Sequence, residues 1–338
     1  MSAVPLSILD RANTRLVDGR PVDASVILQE VTARAQAADT LGYQRFWVAE
    51  HHSVPGIVGS TPTLFLAHIA SATSTIRLGT GGIMVPSHQP LVIAEQIGTL
   101  QALYGTRIDA GLGASVGFTS PVREALRHSA NAKEHFFDDV DEILAYLDGT
   151  AAITAYPQDE SRTELHVLTG GGSAEFAATR GMGLVLGGPA VTRSLTTQED
   201  RSPVAAKYRE QFVAAMPRNQ RPHVIASVNV ATADSTSAAK QLVLSEAWAL
   251  TQSRSTGVFG PLEDPGTIDL SNLSAQQQRR LDRALESTIY GTPAEVVEQL
   301  EAVVAYTEAD EIMVTGNIWD PAAQLTSDQL LLEAWLAR

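Results

Sequence analysis

The sequence predicts a (β/α)8 barrel, and three observations carry that expectation. Short apolar segments of β character alternate with segments of helical spacing along nearly the whole chain. The connections between them are mostly brief, as in a parallel sheet wrapped by helices. The chain of 338 residues, 44% hydrophobic and 18% charged, is large enough for one such core and has a globular balance. No stretch reads as a linker, so residues 1–338 are expected to form a single α/β domain, with one irregular insertion at about 251–290 before the last strand.

Val4 to Leu9 is short and apolar and reads as the first strand. A polar turn with Gly19, Pro21 and Asp23 leads to a helix at Ala24 to Leu41, stopped by Gly42. Arg45-Phe46-Trp47-Val48 is the second strand, and Thr61-Pro62 opens a helix running to about Thr73. The third strand spans Ile76 to Pro86, followed by a helix from Leu91 to Leu103 and a fourth strand from Arg107 to Leu112. A Gly/Ser/Pro-containing loop, Gly113 to about Ser129, precedes a helix near Glu134 to Leu147, and loops of that length are usually functional or mobile. Thr163 to Leu168 is the fifth strand, Ala174 to Arg180 a helix, and Leu184 to Leu186 the sixth strand. A helix at Val204 to Ala215 leads to the seventh strand, Pro222 to Ala231, and Ala233 to Leu250 is helical. In the insertion, Gly257, Gly260, Pro261, Pro265 and Gly266 break the rhythm before a polar helix at Ser274 to Leu285. Thr292 then caps a helix with Pro293 at its first position, Glu311 to Thr315 is the eighth strand, and Leu325 to Leu336 closes the chain as a helix.

Acidic residues outnumber basic ones, 38 to 24, for a formal net charge of -14. That disfavours nucleic-acid and anionic-membrane partners, which need basic patches. The absence of cysteine excludes disulfides, thiolate metal sites, iron–sulfur clusters and thiol nucleophiles. No signal-peptide pattern and no membrane-length apolar run are read, so a cytoplasmic location is expected.

Three stretches carry candidate chemistry. The second strand runs directly into Glu50-His51-His52, at the strand end where α/β folds place their sites. Alternation along an extended chain puts Glu50 and His52 on one side and His51 on the other, so the two adjacent imidazoles do not grip one metal. The cluster could equally serve loop backbone. Gly79-Thr80-Gly81-Gly82 lies in the third strand, where paired glycines fit either a β-bulge or the close approach of something flat. Gly170-Gly171-Gly172-Ser173 joins a strand to a helix, which suits a phosphate but also a simple tight turn. Neither a P-loop nor a Gly-x-Gly-x-x-Gly fingerprint occurs, so no bound nicotinamide is indicated. A metal hydrolase built on His51, His52, His68 and His88 is disfavoured by the alternation and by the lack of an acid-rich motif, and no metal site is expected.

The segments Trp47 to His52, Gly79 to Pro86, Glu95 to Leu100, Arg107 to Gly113, Tyr290 to Pro293 and Ala309 to Thr315 together resemble the bacterial luciferase-like flavin monooxygenases, in order and over nearly the full chain. The resemblance implies a TIM barrel that binds reduced FMN at the carboxyl face of its strands. There the flavin meets O2 and forms a hydroperoxide that oxidises a small organic substrate. It also implies a separate NAD(P)H-dependent flavin reductase as partner, and a homodimer formed through barrel helices. By resemblance His51 is the active-site acid or base, a role suited to imidazole. The implied cofactor contacts are Glu50, Thr80, Gly81, Gly82 and Gly113, with Gly170, Gly171, Gly172 and Ser173 at the phosphate. Gly81-Gly82 falls where the family can carry a non-proline cis peptide.

One departure is Ala114, where family members commonly have a phosphate-pairing arginine after Gly-Leu-Gly. Loss of such a charge-assisted contact removes about 1.5–3 kcal/mol, or roughly one to two decades of affinity. Weak or transient FMN binding is therefore expected, with Arg123 or Arg127 in partial compensation. Two alternatives follow: hydride transfer with the deazaflavin F420 on the same barrel, and a non-catalytic flavin-binding subunit. Phe118 and Phe259 are candidates to line an apolar cavity shaped by the 113–129 loop and the insertion.

Overall fold

The computed structural model describes residues 4–117, 119–128, 131–158, 162–192, 201–213 and 219–338. The chain begins with β1 (Leu6–Asp10), a small hairpin of β2 (Leu16–Val17) and β3 (Arg20–Pro21), and α1 (Ala24–Leu41). Then follow β4 (Arg45–Val48), α2 (Pro62–Ala72), β5 (Arg77–Met84), α3 (Pro90–Tyr104) and β6 (Ile108–Gly113). Two helices, α4 (Ser120–Ala125) and α5 (Phe136–Asp148), precede β7 (Glu164–Thr169), α6 (Ala174–Thr179) and β8 (Gly183–Leu186). The last third comprises α7 (Pro189–Thr192), α8 (Pro203–Gln211), β9 (Val224–Thr232), α9 (Thr236–Thr256) and α10 (Ala275–Glu286). It ends with β10 (Ile289–Gly291), α11 (Pro293–Thr307), β11 (Glu311–Thr315) and α12 (Pro321–Ala337).

Eight of these strands close a ring in the order β1-β4-β5-β6-β7-β8-β9-β11, every neighbour parallel, and β11 pairs back to β1. This is the expected (β/α)8 barrel, and each of its strands falls on a segment predicted as one. The outward faces pack on the helices in one large apolar cluster that includes Ile8, Phe46, Leu78 and Leu165. The inward faces form a smaller one from Leu9, Trp47, Val185, Ile225 and Met313. Local chemistry sets the element ends. Gly42 at φ 97° turns α1 off, and Thr292 with Glu295 forms a reciprocal capping box at α11. No described helix is long and apolar enough to cross a membrane.

The structure differs from the sequence reading in several places. The polar turn near Gly19 is the β2–β3 hairpin, and the 113–129 loop contains α4. Helix α9 continues to Thr256, where Gly257 at φ 76° ends it, so the irregular segment starts six residues after Thr251. β10, a short strand beside β9, was not anticipated, because three residues carry no readable period. α12 begins at Pro321 rather than Leu325, since the Asp320 side chain accepts a hydrogen bond from Ala322 N. Phe118, Ser129 and Ala215 lie outside the described residues.

Candidate active site

The barrel's alternation delivers the site. Trp47 and Ala49 both join the inward-facing cluster, and the next side chain of that series is His51. Leu9 is likewise inward, and two residues on stands Arg11. Both reach one cavity at the carboxyl end of the strands, about 400 Å³ in volume, whose wall also includes Val54, Val122, Arg254 and Phe259. The 113–129 loop supplies Thr119 and Val122 to this cavity, and the α9 end and following segment supply Leu250 to Phe259. Phe259 lines it as expected.

His51 is anchored by its N–H to Gly59 O at 2.9 Å. Burial, reinforced by the Arg11 guanidinium, pushes its imidazole down to about 4, against the opposing pull of Glu50. The ring is therefore neutral at pH 7. Arg11 is held against the cavity by Glu246, a 5% exposed carboxylate that also accepts Asn317 N at 2.8 Å. Sequence reasoning missed Arg11 and Glu246. Arg11 follows a strand end directly, a usable signal, but Glu246 sits mid-helix 235 residues away with no local mark.

Glu50 takes the other side, as alternation predicted. Its Oε1 accepts from His52 Nε2 at 2.6 Å and His88 Nε2 at 2.7 Å, and its Oε2 from Met84 N at 2.9 Å. Burial raises the carboxyl, but the bonds from His88, Met84 N and His52 outweigh it and hold Glu50 below the usual range. Glu50 is thus a buried anchor that ties this strand end to Met84, His52 and His88. His68 lies on α2, stacked on Phe65 with ring centroids 6.4 Å apart, so the four histidines considered for a metal hydrolase do not converge.

The third-strand glycines have a partner that is flat: the Trp47 indole. A Cβ at Gly79 would stand 2.3 Å from Trp47 Nε1, and one at Gly111 would meet Thr80 O at 2.3 Å and Trp47 Cζ3 at 3.1 Å. The Gly81-Gly82 peptide is cis, and the β5–β6 register slips between Gly81 and Ile83, so the bulge and the cis bond fall together. Thr80 is 1% exposed, and its hydroxyl donates to Gly111 O at 2.9 Å and accepts Gly111 N at 3.0 Å. It stitches the two strands across the irregularity.

At the glycine loop, the amides of Gly171 and Ser173 converge on Thr169 Oγ1, at 2.9 and 3.2 Å. A Cβ at Gly170 or Gly172 would meet nothing within 4 Å, so the loop surface is open there, while the Gly171 and Ser173 amides are taken up by Thr169 Oγ1. Gly113 ends β6 with only Ile83 O near its missing side chain, at 3.6 Å. Ala114 packs against the large apolar cluster. Arg123 donates to Gly117 O and Ser120 Oγ within its own loop. The loop glycines do not line the His51 cavity, so the cavity and the glycine loop are two separate features.

The barrel carries its candidate site at the carboxyl mouth. Comparison with known proteins gives the family: residues 15–311 match the luciferase-like monooxygenases, and the chain belongs to that family. A luciferase-like monooxygenase of Escherichia coli (strain K12) is 33% identical over 88% of each chain. The N-acetyl-S-alkylcysteine monooxygenase of Bacillus subtilis (strain 168) is 28% identical over 99% of each. Among solved structures, apo-MsnO8 superposes with a TM-score of 0.81 at 29% identity, covering 98% of both chains. The fold is shared, at 18% identity and TM-score 0.70, with the oxygenating constituent of 3,6-diketocamphane monooxygenase from Pseudomonas putida in complex with FMN, over 99% of this chain and 98% of that one. An F420-dependent secondary alcohol dehydrogenase shares it at 13% and 0.67, over 99% of each.

Proposed function

We propose that the protein is a monooxygenase that uses reduced FMN and O2 to oxidise a small organic molecule, with reduced flavin supplied by a separate NAD(P)H-dependent flavin reductase. The observation that carries this reading is His51, a neutral imidazole set beside Arg11 in a cavity at the barrel mouth. Family membership and the FMN-complexed fold relative support it. Reduced FMN, when bound, supplies the two electrons that allow one oxygen atom to enter the substrate while the other leaves as water. The Gly170 to Ser173 loop would hold its phosphate, and the Gly81-Gly82 backbone would lie toward its ring.

The chain's own residues do the rest. His51 accepts or returns a proton at a ring nitrogen, and burial, with Arg11 beside it, keeps that ring neutral. Arg11 also offers a fixed positive charge to any anion formed in the cavity. Val54, Val122 and Phe259 exclude water and give an organic substrate its apolar seat. A homodimer belongs to the same reading: Leu64 on α2 is 72% exposed and Leu103 on α3 is 63% exposed, apolar side chains that a second copy would cover.

Mixing anaerobic protein and reduced FMN with oxygenated buffer tests the reading. Flavin reoxidation should become protein-dependent and saturable, and His51→Ala should slow the oxygen-transfer phase by about 10²–10⁴-fold. Reoxidation identical to that of free flavin at every protein concentration would overturn it. The second reading is hydride transfer with F420, for which the F420-dependent fold relative is the support.

A further inference from the structure

The Glu50, His52 and His88 side chains converge in a way that the proposed flavin chemistry does not use. We propose that these three residues form a binding site for a borderline divalent transition-metal ion, typified by Zn²⁺ and Co²⁺, at the edge of the His51 cavity, whose wall includes His52. Glu50 Oε1 and the two Nε2 atoms lie within 4.8 Å of one another, and both nitrogens already point at the same carboxylate oxygen. The two ring planes are inclined at 52°, with centroids 6.4 Å apart, so the imidazoles approach that point from different directions.

The scaffold fixes the arrangement. Glu50 and His52 follow β4, where Ser53 at φ 53° turns the chain, and His88 follows β5 after a short 3-10 turn closed by His88 N to Val85 O. These are adjacent parallel strands, so the ligands sit on a rigid sheet edge. The second carboxylate oxygen is held by Met84 N, the kind of outer hydrogen bond that orients a ligating carboxylate. The Glu50 side chain is fully buried, whereas those of His52 and His88 are 18% and 30% exposed, so an ion has a path in from solvent.

An ion held tetrahedrally at about 2.0–2.2 Å from each ligand atom sets neighbouring ligand atoms roughly 3.3–3.6 Å apart. The present separations of 2.6 and 2.7 Å therefore widen by somewhat less than about 1 Å, within reach of side-chain rotation. On binding, each imidazole moves its Nε2 proton to Nδ1 and remains neutral, and the carboxylate contributes the charge. Two imidazoles with one carboxylate select Zn²⁺, Co²⁺, Ni²⁺ or Fe²⁺ over Mg²⁺ and Ca²⁺, which prefer all-oxygen shells, and three protein ligands leave a position for water. The alternation that separates His51 from His52 remains in force, because the second imidazole comes from the next strand.

The test uses the full chain, stripped with chelator and free of flavin, so it succeeds or fails independently of the flavin reading. Titration with Co²⁺ should give visible ligand-field bands that saturate at one equivalent, are abolished by Zn²⁺ and are unaffected by excess Mg²⁺. His88→Gln, which keeps a donor for Glu50 but removes the imidazole, and Glu50→Gln should each weaken binding by about 10–100-fold or more. His51→Ala should leave the bands in place. Circular dichroism and thermal melts establish that the variants are folded. No saturable band in the wild-type protein, or bands equally strong in folded His88→Gln, would show that the three residues are only a hydrogen-bonded clamp and would overturn the proposal.

Discussion

At the scale of single residues, Glu50 and His51 are neighbours with opposite fates. His51 continues the inward series of Trp47 and Ala49, and burial beside Arg11 keeps it neutral. Glu50 turns outward and satisfies Met84 N and two imidazoles. Glu50→Ala leaves a 5% exposed residue's N–H and two imidazole donors without their acceptor, at about 1–3 kcal/mol for each group that water cannot reach. Urea melts should show the loss as a lower midpoint at unchanged slope, and a midpoint within error of wild type would refute the anchoring role. Glu246 acts on the site only through Arg11, so Glu246→Gln should perturb cavity ligands while His51 stays in place. Weaker binding of an anionic cavity ligand in Glu246→Gln, with an unchanged circular dichroism spectrum, is the expected outcome.

At the scale of elements, the glycines of β5 and β6 are shaped by β4. Gly79→Ala drives a methyl into the Trp47 indole, and overpacking of this kind costs about 1–3 kcal/mol. Trp47→Leu should make room for that methyl, so the two substitutions should couple by about 0.5–3 kcal/mol in a double-mutant thermal-denaturation cycle, whereas strict additivity would contradict the packing account. The loop beyond β4 is also pinned to the insertion. Gly56 N donates to Phe259 O at 2.9 Å, and a Cβ at Gly56 would stand 2.1 Å from Gly260 O. Gly56→Ala should therefore loosen the cavity wall and lower both Tm and affinity for cavity ligands.

These elements also show what the sequence makes legible. Phe46-Trp47-Val48 announced a buried strand, and Glu-His-His announced its functional end, because both signals are local. That Gly79 and Gly111 serve Trp47, that Thr80 is spent on Gly111, and that His88 reaches Glu50 are facts of register between strands, which no single segment carries. The same is true of the Arg11–Glu246 pair, whose members meet only once the barrel closes.

At the scale of the molecule, charge is sorted to the two ends of the barrel. At the amino end Arg45 is buried between Asp109, at 2.7 Å, and Glu311, at 2.9 Å, and the carboxylates hold it firmly protonated. Between them lies His166, fully buried, with neither ring nitrogen hydrogen-bonded among the described residues, and its ring edge-on to Trp47. Burial, together with Arg45 and His223 and against Asp109 and Glu311, pushes its imidazole down to about 3. The sign follows from linkage. A histidine depressed below its unfolded value of about 6.5 binds its proton more readily in the unfolded chain. Stability is therefore full above about pH 6.5 and declines as pH falls from there toward the folded value. His166→Leu should flatten that acid limb in urea melts at a series of pH values, and an unchanged limb would remove His166 as its cause. Arg45→Met is the harsher change: Asp109 keeps Arg77, and Glu311 keeps Ser7 and His223, but both lose the buried guanidinium they share, and a loss of up to about 3–5 kcal/mol is expected.

The most direct test of the whole account is anaerobic titration of the purified protein with reduced FMN and, separately, with reduced F420, followed by fluorescence or absorbance. Reduced FMN should bind saturably and with modest affinity, as the resemblance implies for a chain with Ala114 in place of a phosphate-pairing arginine, and F420 should not bind comparably. Saturable binding of reduced F420 alone, or of neither cofactor, would contradict the account.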